Sequence, residues 1–238
     1  MEFKTIQSVK DPHYNEALKL YDTKLNLSLT EDKRIIKRSL ENNKTENDYV
    51  FIVGLENDVV VSLATAHYEA TTNSAFLIYL FAKDLPNHDE LMTQTLHQIE
   101  HELNLLSNLV HSRSINFLMM EVPKEPADLT QDNGLIIEHR RQFLYEHQFE
   151  RQTEIDYIHP TNDGHTKKVD LFLKKNIKLT KDIYGTSVKS NYILKYVFAN
   201  GIAREIIYAL LEEMDLRKPF QTNLKSLTIT FKLCMKQD

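Results

Sequence analysis

The chain has 238 residues, of which 42% are hydrophobic and 26% charged, with a formal charge of -5 and a pI near 6.1. That length suits one large domain, or one domain plus a substantial extension. The acidic balance provides no net positive field to draw nucleic acid, so none is expected as a partner. Cys234 is the single cysteine, which excludes an internal disulfide and fits a reducing, cytoplasmic setting. No stretch of about 18 apolar residues reads as a membrane span, and "MEFKTIQSVKDPHY" lacks the apolar heart of a secretion signal. Only 5 glycines are present, so few backbone positions reach positive φ without strain.

In chain order, residues 2–9 read as a strand. Asp11 and Pro12 start a helix as N-cap and first helical residue, and Tyr14, Leu18, Tyr21 and Leu25 follow at helical spacing. Thr30, Glu31 and Asp32 start a second helix carrying Ile35, Ile36 and Leu40. "YVFIVGL" (49–55) and "VVVSLATAHY" (59–68) form a hairpin across "END". "SAFLIYLFA" (74–82) is almost continuously apolar, as a central strand buried on both faces would be. An amphipathic helix is predicted over 89–106 and a second buried strand over 115–122. A loop at 123–134 and a helix at 136–148 follow, then a closing hairpin from 152–160 and 167–174.

The order is βααββ βαβ αββ: an α/β chain with a mixed sheet and one crossover, expected to be right-handed. Residues 178–238 differ in character. "SNYILKYVFANGIAREIIYALLEEMDL" reads as helical with a break at Asn200-Gly201, and "SLTITFKLC" (226–234) alternates like a strand. Sixty residues are marginal as an independent domain. The predicted division is a domain over 1–176 and an extension over 177–238, packed on that domain or on a second copy in a homodimer.

Two stretches around the long helix invite a chemical reading. "KDLPNHDELM" (83–92) joins the central strand to the long helix without glycine. Asn87 is predicted to cap this helix, with Glu90 in a capping box and Asp89 favoured by the dipole. "HQIEH" (97–101) matches an inverted zinc-peptidase motif, which would make His97, Glu100 and His101 a zinc hydrolase site. At 100° per residue, however, His97 and His101 fall roughly 140° and 180° from the centre of the stripe formed by Met92, Leu96, Ile99, Leu103 and Leu106. The motif is therefore expected to face water. Glu121 ends an apolar strand, where a carboxylate is rare unless paired. It can take a proton from an ammonium substrate, bind a positive charge, or sit solvated at a strand terminus. Glu69, at the end of the 59–68 strand, is a reserve for that role.

Three strings and the order of elements resemble the GCN5-related N-acetyltransferases over roughly residues 1–175. "RRQFLYEHQFERQ" (140–152) is similar to the family's fourth helix, with Tyr145 at its tyrosine and Phe149 at its closing phenylalanine. "MEVP" (120–123) and "IDYIHP" (155–160) resemble a bacterial subgroup. Departures are Gln148 in place of a glycine, Glu138 in place of an asparagine, and the missing glycines of the cofactor loop. The resemblance implies an acyl-CoA N-acyltransferase fold and transfer of acetyl from acetyl-CoA to a small-molecule or peptide amine within a ternary complex. It implies Tyr145 as the acid that protonates the thiolate, with Glu121 on the acceptor side. Backbone groups of Leu80, Phe81 and Ala82 would pair with the pantetheine arm. Lys83 and the N–H groups from His88 through Asp89 and Glu90 to Leu91 would hold the pyrophosphate. The alternative is a domain of this fold that has lost cofactor binding and serves as a binding or assembly module.

Overall fold

A computed structural model describes residues 1–23, 32–42, 49–124, 131–161, 165–178 and 180–216. The strands are β1 (Glu2–Thr5), β2 (Tyr49–Glu56), β3 (Val59–Glu69), β4 (Ser74–Ala82), β5 (Phe117–Pro123), β6 (Glu150–Arg151), β7 (Ile158–Pro160) and β8 (Thr166–Lys175). The helices are α1 (Tyr14–Thr23), α2 (Lys33–Leu40), α3 (His88–His111), α4 (Gln131–Glu146), α5 (Lys181–Tyr192) and α6 (Arg204–Glu213), with a π-helix at Ile193–Ala199 between the last two. The strands lie in the order β1-β2-β3-β4-β5-β8-β6, with β7 also paired to β8. Every pairing is antiparallel except β4 with β5, which α3 joins as the crossover.

β4 is apolar on both faces because both are covered. Ala75, Leu77, Leu80 and Ala82 pack under α3 and α4. Phe76 faces the C-terminal helices, and Tyr79 and Phe81 face α1 and α2. Between those sets Thr65 pairs with Tyr79 while Ala66 pairs with Leu77, so Ile78 is an extra residue. Such a bulge resets the alternation and turns the strand. α3 buries Leu91, Met92, Leu96, Ile99 and Leu103 on the sheet. Each contributes about 1.5–3 kcal/mol.

Several sequence expectations shift. The first strand is shorter than 2–9. Asp11 caps a turn rather than the helix itself: it accepts from the His13 N–H at 2.9 Å, and α1 begins at Tyr14. Thr30 and Glu31 lie outside the described residues, and Asp32 caps α2 by accepting from the Arg34 N–H. α3 runs beyond 106 to His111 and closes on Ser112 in a left-handed conformation. α4 begins at Gln131, inside the predicted loop, because Gly134 tolerates a helical turn without breaking it. Of the hairpin arm predicted at 152–160 only β7 (Ile158–Pro160) is strand, and β6 ends just before it at Arg151, since Gln152 turns back on itself to accept from the Thr153 and Glu154 N–H groups.

Asn87 stands at the start of α3 but its side chain makes no capping bond. Its backbone (φ -99, ψ 26) is turned rather than extended, and an extended N-cap is what aims a side chain at the first turn. Glu90 therefore completes no capping box; it accepts instead from Gln94 at 2.9 Å. The C-terminal helices do break at Asn200-Gly201, where Gly201 takes φ +76, a value glycine reaches without strain. They form a strap over the sheet face that carries Phe76, Phe117, Met119 and Leu171. The strand predicted at 226–234 lies outside the described residues.

Candidate functional site

The one parallel pairing among the described residues is short. β4 and β5 are in register only from Ser74 with Phe117 to Leu77 with Met120. Past that point β4 keeps β3 as its partner and β5 keeps β8, so the two central strands part. Glu121 is the first β5 residue beyond the parting. A different structure has grown on each face of the opening.

On the α3/α4 face lies a narrow cleft of about 60 Å³, open to solvent. Leu80, Phe81 and Ala82 form its floor, His88, Asp89 and Met92 one wall, and Ile136, His139, Arg140 and Phe143 the other. Spacing explains the second wall: Ile136, Arg140 and Phe143 recur at helical intervals on one face of α4. Arg141 fixes that rotation. Its guanidinium donates to the Pro123 and Lys124 carbonyls and to buried Asp170 at 3.0, 3.1 and 3.1 Å. The Arg140 guanidinium then lies 5.7 Å from the Phe81 ring centre. Burial pulls its pKa down to about 10, so it remains a cation at neutral pH.

Of the residues expected to hold a cofactor, Leu80, Phe81, Ala82, His88 and Asp89 line this cleft. Lys83, Glu90 and Leu91 do not; Leu91 belongs to the core beneath α3. His88 Nδ1 is 2.9 Å from the Lys83 carbonyl, which pins the ring to the strand end. Asp89 is 3.6 Å from His139 Nε2, so an imidazolium there would offset part of its charge. Arg140 and His139 were missed by sequence reading. The signal was present as a cation within the i, i+4, i+7 face of α4.

Tyr145 shares the opposite face of α4 with Arg141. Its ring packs edge-on against Phe172 of β8 at 5.4 Å, it is 48% exposed, and it is not among the cleft residues. Gln148 follows at φ +68, the left-handed position where the family motif has glycine. Phe149 N–H closes the helix onto the Leu144 carbonyl at 2.9 Å.

On the other face Glu121 is enclosed, with a side chain 3% exposed. Its Oε1 accepts from the Tyr157 hydroxyl at 2.7 Å and from the Tyr196 hydroxyl. Its Oε2 lies 2.7 Å from Lys195 Nζ and 2.9 Å from His159 Nδ1. A carboxylate facing Nδ1 favours the tautomer or ion with its proton there. Burial alone would raise the Glu121 pKa, but Lys195 and then His159 outweigh it and hold the carboxyl well below the usual carboxylate range. Burial and the Glu121 charge push the Tyr157 and Tyr196 phenols well up, so both stay protonated donors. A Lys in the apolar stripe Val188, Tyr192, Tyr196 and Ala199 was the legible sign that a buried acid waited opposite.

The remaining candidates are dispersed. Glu69 accepts from Thr71 and Thr72 in the β3–β4 turn. His97 and His101 are exposed, and Glu100 is paired with Lys174 at 2.6 Å. Among the described residues no group of three or more His, Cys, Asp or Glu is placed to hold a metal ion. A larger open groove borders β6 and the start of α5, but it adjoins the end of β8 that pairs with the start of β5, away from the parting. No described helix is long and apolar enough to cross a membrane.

No family model and no curated protein matches the sequence. Solved structures do match the fold. A protein assigned as a GNAT-family acetyltransferase from Bacteroides thetaiotaomicron superposes with a TM-score of 0.57 at 14% identity, over 84% of this chain and 99% of its own. A protein from Staphylococcus epidermidis described as a probable acetyltransferase gives 0.52 at 12% identity, over 74% and 99%. Both are covered almost whole, while this chain carries additional length.

Proposed function

We propose that this chain, which has the fold of the GCN5-related N-acetyltransferases, moves an acetyl group from acetyl-CoA to an amine. The observation that carries the reading is the parting of β4 and β5, with a cation-bearing cleft on one face and an enclosed carboxylate on the other. A thioester bound there supplies an acyl carbon open to attack and a thiolate leaving group. The β4 edge beyond Leu77, released from β5, offers backbone groups to an extended arm as a further strand would. Arg140, the His88 side chain and the N–H groups of Asp89 and Glu90, which Asn87 does not cap, suit a pyrophosphate; the His88 and Leu91 N–H groups already donate to the Leu85 and Asn87 carbonyls. Asp89 and Glu90 oppose it.

Glu121 marks the acceptor side. Its four donors describe what it recognises: a cation and hydroxyls directed at one carboxylate. A carboxyl held so far below its ordinary range is a weak proton acceptor, so we assign it to binding the acceptor's positive charge. Proton removal would fall to it only once that partner leaves. Tyr145 is the proposed donor to the departing thiolate, which requires its ring to leave Phe172 and turn toward the cleft. The acceptor is proposed to be a primary amine on a small molecule or peptide.

The lack of loop glycines and the complete engagement of Glu121 favour a second reading, a binding module of this fold without catalysis. Isothermal titration with acetyl-CoA, followed by chromatography for acetylated product with a panel of primary amines, separates the two. Binding with turnover supports transfer; no heat at millimolar acetyl-CoA contradicts it.

A further inference from the structure

Lys195 is positioned unlike a surface lysine. Its ammonium is held at 2.7 Å by Glu121, the first residue of β5 past the parting. It lies 4.5 Å from the ring centre of Phe76, next to the last paired residue of β4. It also lies 4.9 Å from the Tyr196 ring. A primary alkylammonium thus sits between the two strands where they separate, bound by a carboxylate and two aromatic faces. Those are the elements by which an alkylammonium is recognised. The π-helix that carries it closes its hydrogen bonds over five residues rather than the four of an α-helix, a distortion that often accompanies functional sites. Asn191, one turn earlier, donates to Ser74 Oγ at 2.8 Å and ties the strap to the start of β4.

We propose that Lys195 is a built-in occupant of the acceptor-amine position, so that the strap formed by α5, the π-helix and α6 closes the site until Lys195 withdraws. This rests on the transfer reading above, in which Glu121 binds the acceptor's charge. The occupant is part of the chain and competes at the high effective concentration of a tethered group. An external amine therefore gains access either when the strap lifts or when the Lys195 side chain is removed. The recognised class is a primary alkylammonium, with room for about the four carbons of a lysine side chain.

The test compares the full wild-type chain with Lys195→Ala and Asn191→Ala, using n-butylammonium as the probe. Lys195→Ala leaves Glu121 uncompensated, so it is purified and assayed with the probe present. Its melting temperature is expected to rise with n-butylammonium concentration while that of the wild type does not. With acetyl-CoA added, N-butylacetamide is expected to form at least about tenfold faster in Lys195→Ala than in wild type. Asn191→Ala keeps Lys195 but loosens the strap and is expected to fall between them, which keeps the proposal testable if Lys195→Ala does not fold. If acetyl-CoA binds all three equally while N-butylacetamide forms at the same rate, the proposal is overturned and the transfer reading stands. If acetyl-CoA binds none of them, the transfer reading fails. Absence of thermal rescue in a folded Lys195→Ala overturns the proposal independently of turnover.

Discussion

The two faces of the β4–β5 opening solve different problems. On the α3/α4 face, Arg140, His139 and His88 stand around a narrow cleft that still admits solvent. On the strap face, an equally polar set is sealed around Glu121, with each carboxylate oxygen taken by two partners. A cleft open to solvent with a cation in its wall leaves room for an anionic group to enter. A cluster whose donors and acceptors already match is complete, and anything else must displace a member. The same strand junction therefore carries an open cleft on one face and a closed polar cluster on the other.

The largest expected effect comes from unbalancing the sealed side. Lys195→Ala should cost about 3–5 kcal/mol of stability, because it strands a buried carboxylate. Chemical denaturation measures it. In a double-mutant cycle, Glu121→Gln with Lys195→Met should cost well under the sum of the single changes, since no charge is left unpaired. A simple sum would mean the pair is not coupled.

pH separates the same variants. In wild type the Glu121 pKa is depressed, so its contribution to stability is present above the ordinary carboxylate range. It is lost as pH falls below about 4.3. Without Lys195 burial is opposed far less, and the sign reverses if the folded pKa rises above the unfolded value. Lys195→Ala should then be most destabilised relative to wild type near neutral pH and less so near pH 4. Equal destabilisation at both values would break the comparison.

On the open side, Arg140→Gln should weaken acetyl-CoA binding by about 10–100-fold, the loss of a charge-assisted bond worth about 1.5–3 kcal/mol. Asp89→Asn should strengthen it, by about two- to fivefold, as one opposing charge leaves the start of α3. The smallest effect is structural. Gln148→Gly relieves a side chain held at φ +68 and should stabilise by about 1 kcal/mol, read from the thermal midpoint.

Much of this layout was legible. Period-two and continuous apolar runs located β2, β3 and β4, and the 3.6-residue stripe placed α3. The turn Gln148 makes was implicit in a family glycine position. What escaped was anything set by partners far apart in the chain. Glu121 and Lys195 are 74 residues apart; each is out of place in its own apolar context, but nothing local says that the two meet. The Asn87 cap failed because one backbone angle, not the residue type, decides where its side chain points. Arg140 lies within the same string as Tyr145 and Phe149, and only the rotation imposed by Arg141 and Asp170 turns it to the cleft. The start of α4 was hidden by Gly134, a residue that usually signals a turn.

The most direct measurement is isothermal titration of the wild-type chain with acetyl-CoA. Saturable binding at about one site per chain, in the micromolar range and weakening with added salt, is the expected result. No heat up to millimolar acetyl-CoA would contradict the account, because the proposed transfer would then have no acetyl donor at the junction.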